Sequence, residues 1–119
     1  MPLVASLAVI TVAIVHALIA MFEMLLWKQP FVYTRLERFR FTQAEANKMA
    51  PIVANAGLYN LFVALGLVWS MLIGEPRMAL FFLSFVIVAG VFGAATLKKT
   101  TLILQTVPAA LAALVVPWS

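Results

Sequence analysis

The chain has 119 residues, of which 66% are hydrophobic and 10% are charged, and its mean hydropathy is +1.12. A soluble domain of this size has roughly half apolar and about a quarter charged residues, so the composition excludes one and indicates an integral membrane protein. The net charge is +4, but the basic residues flank apolar segments, which favours membrane lipids over nucleic acid as the partner.

Four apolar segments approach the roughly 20 residues that a helix needs to cross the hydrocarbon core. They lie at about residues 3–27, 51–73, 78–97 and 101–118. No basic side chain precedes Lys28 and the first segment is long enough to span, so we predict a retained helix and not a cleaved signal. Short connections make sequence neighbours antiparallel. The predicted fold is therefore all-α, a four-transmembrane-helix antiparallel bundle that forms a single integral membrane domain over residues 1–119.

The one long connection, residues 28–50, combines basic and aromatic side chains suited to the headgroup boundary. Within it, Thr42 and Glu45 have the spacing of a capping box, which predicts the start of a short helix that runs into the second span. Pro51 is expected to kink or restart that helix. We therefore predict a short amphipathic interfacial segment between the first two spans.

The distribution of Lys and Arg predicts the orientation. Residues 28–50 hold five of the eight, residues 98–99 hold two, and only Arg77 lies in the second connection. Cytoplasmic loops carry the excess of positive charge, so the first and third connections are predicted to be cytoplasmic and both termini to lie on the outer side.

Polar side chains inside the spans form two predicted tiers. Glu23, Asn55 and Gln105 lie within about two helical turns of the predicted cytoplasmic boundary, and His16 and Asn60 lie deeper. Seven residues, or two turns, separate His16 from Glu23, so both share one face of the first helix. The second helix can present Asn55 at the lower tier and Tyr59 or Asn60 above it.

An ionisable side chain at the centre of a membrane helix costs at least about 2.5 kcal/mol, so Glu23 is expected to have a partner or a function. Asn, Gln and His can instead serve as ordinary interhelical hydrogen-bonding groups, and that structural interpretation stays open. The candidates for binding a ligand or proton are His16, Glu23, Asn55, Tyr59, Asn60 and Gln105.

Metal and hydrolytic chemistry find little support in the sequence. With one His, no Cys and one intramembrane carboxylate, the chain has too few ligands for a zinc or iron site in one subunit. The serines show no nucleophile context, and His16 is the only candidate base. We expect no metal and no cofactor, and no catalytic residue is assigned.

The strings HALIAMFEMLLW, NAGLYNLFVALGL, VAGVFGAAT and LQTVPAALAAL occur in this order along the chain. In this arrangement the chain resembles the bacterial membrane family catalogued as domain of unknown function 1304. The resemblance covers nearly the whole chain and implies a small protein of the bacterial inner membrane, without an established reaction. The family usually has Gln where this chain has Ala56, which implies that this position is not essential here.

Three functional hypotheses remain open. The first is a small membrane protein with a polar intramembrane pocket that binds or transports a small molecule with proton linkage; the general likeness to small multidrug exporters is only an analogy. The second is an intramembrane enzyme or binding protein that acts on a lipid, quinone or isoprenoid, with His16 and Glu23 as acid and base. The third is an assembly subunit without its own activity. Whether the chain forms a homo-oligomer is also open.

Overall fold

A computed structural model describes residues 1–36 and 39–118, and within them all regular secondary structure is helical. The elements are α1 (Leu3–Leu25), α2 (Pro30–Tyr33), α3 (Gln43–Leu72), α4 (Pro76–Thr96), a π-helical segment (Leu102–Thr106) and α5 (Val107–Val115). The predicted all-α class is confirmed for the described residues. Arg38, one of the basic residues of the long connection, lies outside them.

Three of these helices, α1, α3 and α4, are long and apolar enough to cross a membrane. The fourth predicted span corresponds to the helical stretch Leu102–Val115, which is apolar but shorter than the other three. These helices indicate a membrane protein, in agreement with the composition.

Helix α3 begins at Gln43, as the capping box predicted, and it continues through Pro51 into the second span. The capping box explains this start: the Thr42 hydroxyl accepts from the Glu45 N–H, and the Glu45 carboxylate accepts from the Thr42 N–H. Pro51 has no N–H for the carbonyl four residues earlier, so it locally weakens the helix. In the same turn, the buried Trp27 indole donates a 2.8 Å hydrogen bond to the Ala46 carbonyl and ties the end of α1 to α3.

The fourth span departs from a regular α-helix immediately before Pro108. The Val107 N–H bonds to the Leu102 carbonyl, five residues back, which is the π-helical pattern. In a regular α-helix the Pro108 ring would collide with the carbonyl of Leu104, and the wider π turn relieves that conflict. The Thr106 hydroxyl donates to the Ile87 carbonyl at 3.1 Å and fastens this segment to α4.

Buried apolar residues form two separate clusters. The main cluster lies at the end where the α3–α4 turn is found, and the Trp27 cluster lies at the opposite end. The main cluster consists of Ala5, Val9, Val12, Ala13, Ala64, Leu67, Ala79, Leu83, Val86, Ala109, Ala112 and Val116. The Trp27 cluster consists of Trp27, Tyr33 and Ala46, with Val32, Leu36, Phe41, Ala50 and Val53 packed against them. Between these two clusters, the described residues form no third apolar cluster.

The capping box generates the first prediction. Hydrogen bonds from Thr42 hold the pKa of the Glu45 carboxyl below its ordinary value. Their stabilising effect is therefore present above the ordinary pKa and is lost as the pH falls through the lowered one, below about pH 4. In hydrogen exchange corrected for intrinsic rates, the amides of residues 45 and 46 should lose protection at pH 3 relative to pH 7.

Thr42→Ala should lower the protection of the same amides about five-fold at pH 7. Glu45→Gln keeps an oxygen that can accept from the Thr42 backbone N–H but does not titrate, so it should remove the pH dependence of this protection. Thr11→Ala is the matched control, because the Thr11 hydroxyl bonds only the Leu7 carbonyl within α1. Equal pH dependence in the Glu45→Gln variant and the unmodified chain would contradict the assignment of the cap.

Candidate functional site between the two apolar clusters

Glu23 of α1 and Asn60 of α3 form a direct side-chain hydrogen bond. The Asn60 amide Nδ2 donates to Glu23 Oε1 at 2.6 Å, and both side chains are half-buried. An interhelical bond to a carboxylate is stronger than one between neutral groups. The carboxylate predicted to need a partner therefore has one in the neighbouring helix.

Gly57 makes this pairing possible because it allows the backbone of α3 to approach α1. A Cβ at Gly57 would lie 2.7 Å from Met24 Cγ, 3.0 Å from Glu23 Cβ and 3.2 Å from the Ala20 carbonyl oxygen. Asn60 follows Gly57 by three residues and thus lies on the same face of α3. The close approach at Gly57 brings Asn60 within reach of Glu23.

Lys98, which follows α4, contributes a positive charge to the same region. It is half-buried, and its charge is the weakest of three influences on the Glu23 carboxyl, after burial and the Asn60 hydrogen bond. The directly bonded part of the site is therefore the Glu23 carboxyl and the Asn60 amide.

His16 lies deeper on the same side of α1 and is only 2% exposed. Its Nδ1 is 2.9 Å from the Val12 carbonyl oxygen, which can only accept, so Nδ1 must carry the proton. In the neutral ring Nε2 then has a free lone pair. Every fully buried side-chain nitrogen or oxygen in the described ranges has a hydrogen-bond partner, so the unbonded Nε2 must keep a small accessible surface. His16 can therefore accept a proton or a donor group about 10 Å along the helix axis from Glu23.

Asn55 and Tyr59 lie away from Glu23 in this structure. Both are exposed, Tyr59 at 63%, and the Tyr59 ring packs edge-on against Phe62. Each is two residues from Gly57, which places it about 160° from the face that meets α1. The structure thus places Asn60, and not Asn55, against Glu23; whether Asn55 or Tyr59 binds a ligand stays a prediction.

Gln105 lies in the π-helical segment and is half-buried. Its Cβ lies 3.1 Å from the position that a Cβ of Gly90 would occupy, so the residue sits where this segment packs closely on α4. Among the side-chain hydrogen bonds of the described residues, none joins Gln105 to Glu23.

Glu23 and Asn60 occupy the gap between the two apolar clusters. In the first part of the chain the main cluster ends at Ala13, and the other cluster begins at Trp27, just after α1. Along α3 the gap runs from Val53 to Val63. His16 borders the main cluster within this gap. We call Glu23, Asn60 and His16 the polar layer.

Side chains between α3 and α4 are buried near the turn that joins the two helices. At the depth of the polar layer, the corresponding side chains are exposed. On α3, residues fourteen apart, or about four turns, lie near one face: Ser70 is fully buried and Ala56 is exposed. On α4, Phe82 is half-buried beneath Gly66, and Ala89, seven residues later, is exposed. Helix α3 also shares far more of its length with α1 than with α4. The two helices therefore leave an uncovered side next to Asn60.

Two roles are not evident from the sequence alone. A glycine three residues before a polar side chain is compatible with a close approach on that face, but only the structure shows that Gly57 meets α1. No local signal connects Lys98 with Glu23.

Other parts of the described structure are weaker candidates for a functional site than the polar layer. No group of three or more His, Cys, Asp or Glu residues in the described ranges could hold a metal ion. An open cavity of about 440 Å³ lies at the end of the molecule that holds the α3–α4 turn. It is lined by Glu75 and by Arg77 at the start of α4. A wholly apolar groove of about 170 Å³ runs between α1 and α3, with Ala13, Ala17 and Leu65 in its walls.

The Glu23–Asn60 bond gives a matched pair of substitutions. Asn60→Leu removes the donor and leaves the carboxylate without its partner, which should lower the free energy of unfolding by about 1–3 kcal/mol. Asn55→Leu alters an exposed amide on the same helix and should change it by less than about 0.5 kcal/mol. Unfolding in mixed micelles with increasing denaturing detergent measures both. Equal effects of the two substitutions would show that the bond contributes nothing specific.

Comparison with known proteins gives one finding. No curated protein and no solved structure matches the chain. Residues 10–117 match the family described as protein of unknown function (DUF1304), and this match includes the whole polar layer. Because the match covers nearly the entire sequence, the chain belongs to the DUF1304 family.

Proposed function

We propose that the protein crosses the bacterial inner membrane four times as an antiparallel bundle, with Leu102–Val115 as the shortest span and both termini on the outer side. The charge distribution supports this orientation, since seven of the eight Lys and Arg residues fall in the first and third connections. The polar layer then lies within the membrane, nearer the cytoplasmic boundary.

Within this topology, the protein binds a small molecule at the polar layer and couples its binding or transport to a proton on Glu23. The observation that carries the proposal is the Glu23–Asn60 hydrogen bond in the gap between two apolar clusters. Ionisable groups inside membrane proteins commonly mark ion, proton or substrate pathways.

The arrangement of the layer fits proton linkage. One Glu23 oxygen is held by Asn60, and the other can take up a proton or a donor group from a ligand. His16 offers a second acceptor about 10 Å farther along the same helix. Two acceptors at different depths form the minimal path for a proton or for the polar end of a ligand.

A second candidate is an intramembrane binding protein or enzyme for a lipid, quinone or isoprenoid. It is favoured by the uncovered side between α3 and α4, since a ligand dissolved in the bilayer could approach Asn60 directly. Transport requires access from both aqueous sides in turn, whereas lipid binding requires only this lateral access.

The topology can be tested with single cysteines, because the chain has no cysteine of its own. Thr100→Cys lies in the third connection and Trp118→Cys near the opposite end, and both side chains are exposed. An impermeant maleimide added to intact cells stripped of their outer membrane should label the cysteine at 118 and spare the one at 100. The reverse pattern would overturn the orientation.

Proton linkage can be tested by infrared spectroscopy on the reconstituted protein. Titration over about pH 5–8 should change the carboxyl C=O band, and Glu23→Gln should remove one titrating carboxyl from the difference spectrum. Glu75→Gln, in the exposed α3–α4 turn, is the control and should leave the Glu23 component in place. A spectrum identical in Glu23→Gln and the unmodified protein over this range would refute proton exchange at Glu23.

A further inference from the structure

The uncovered side between α3 and α4 lies at the depth of the Glu23–Asn60 pair. Three independent features place it there: exposed Ala56 in register with buried Ser70, exposed Ala89 in register with half-buried Phe82, and the limited contact of α3 with α4. In a bilayer, acyl chains occupy any such space. Asn60 is half-buried beside it, so a molecule entering sideways reaches the polar layer without crossing an aqueous boundary.

The walls of this opening fit an apolar chain. Ile52 and Tyr59 of α3 are 70% and 63% exposed, and the α4 side presents Ala89 and the 47% exposed Phe85. Thr96 is the polar side chain on this face of α4, and its hydroxyl is already bonded to the Phe92 carbonyl. The backbone of both walls belongs to regular α-helix, so an apolar chain leaves its N–H and C=O groups paired.

The polar groups at the inner end define the head of the ligand. The free oxygen of Glu23 and the Asn60 carbonyl oxygen are acceptors, since the Asn60 amide nitrogen already donates to Glu23. The head must therefore donate. A head that arrives sideways through the hydrocarbon must also be neutral, because a charged group costs at least about 2.5 kcal/mol there. A hydroxyl meets both conditions, since it is a neutral donor that bonds well to a carboxylate.

We propose that the polar layer takes a neutral, hydroxyl-bearing lipid that enters sideways from the bilayer between α3 and α4. Its hydroxyl donates to Glu23, and its apolar chain lies between Ala56 and Ala89. The inference rests on the proposed function, because it names the ligand class of the same site. The apolar groove between α1 and α3 is the competing location for a lipid chain, but it has no polar group among its lining residues.

The test uses the full chain in phosphatidylcholine nanodiscs and three photoactivatable hexadecyl probes that differ only in their heads: alcohol, carboxylate and trimethylammonium. Mass spectrometry of the cross-linked protein locates the label. The alcohol probe should label residues 52–59 and 89–96 about five-fold more than either charged probe. Equal labelling by the three probes would overturn the assignment of the head.

Two substitutions distinguish binding between α3 and α4 from binding in the apolar groove between α1 and α3. Ala56→Trp places a large ring on the exposed face of α3 and should reduce alcohol labelling of these residues about five-fold or more, whereas Ala17→Trp fills the competing groove and should not. If Ala17→Trp removed the label and Ala56→Trp left it unchanged, the result would overturn lateral entry between α3 and α4.

Two further measurements test whether the ligand contacts Glu23. They also show whether a failure concerns the lipid inference or the proposed proton linkage. Glu23→Gln replaces a charged acceptor by a neutral one of the same shape and should lower the preference for the alcohol about five-fold. The infrared titration of Glu23 is recorded on the Ala56→Trp protein as well. A titrating Glu23 with no head preference defeats the lipid inference alone, whereas a Glu23 that does not titrate defeats the proposed proton linkage.

Discussion

A carboxyl group inside a membrane protein must have a hydrogen-bonding partner, and the packing of α1 on α3 follows from how Glu23 obtains one. The partner is the Asn60 amide, which reaches Glu23 because Gly57 has no side chain between the two backbones. A shift of α3 by one residue would turn Asn60 about 100° away and bring a side chain into the contact. The Glu23–Asn60 bond and the close approach at Gly57 therefore require the same register of α3 on α1. The polar pair thus makes the helix packing specific, in addition to any functional role.

The rest of the bundle keeps this layer in place without filling it. The main cluster closes one end, and the Trp27 indole closes the other through its bond to the Ala46 carbonyl. On the α4 side, the π-helical segment before Pro108 is fastened by Thr106 and packs directly on Gly90. Rigid ends with a less covered middle provide a suitable setting for binding, because ligand entry there does not require the apolar clusters to open.

Much of this architecture follows from the sequence, because hydropathy and capping are local properties. The all-α class and the capping box at Thr42 were predictable, and Glu23 could be singled out as the carboxylate that needs a partner. Its partner could not be identified from depth alone, since Asn55 matches the depth of Glu23 but Asn60 faces it. That choice depends on which face of α3 meets α1, and Gly57 decides it through tertiary packing. Whether Pro51 interrupts the helix that begins at the capping box could not be decided from the sequence, and α3 runs through it. The π turn before Pro108 could not be predicted either, because it depends on how this segment packs on α4.

The central claim is the pairing of Glu23 with Asn60, and solid-state NMR in lipid bilayers measures it directly. With the carboxyl carbon of glutamate labelled with ¹³C and the amide nitrogen of asparagine side chains with ¹⁵N, dipolar recoupling reports the short distances between them. For the residues that the structure describes, it predicts one strongly coupled Glu–Asn pair, which Asn60→Leu abolishes and Asn55→Leu preserves. A coupled pair that disappears in Asn55→Leu and survives in Asn60→Leu, or the absence of any coupled pair in the unmodified protein, would contradict the account.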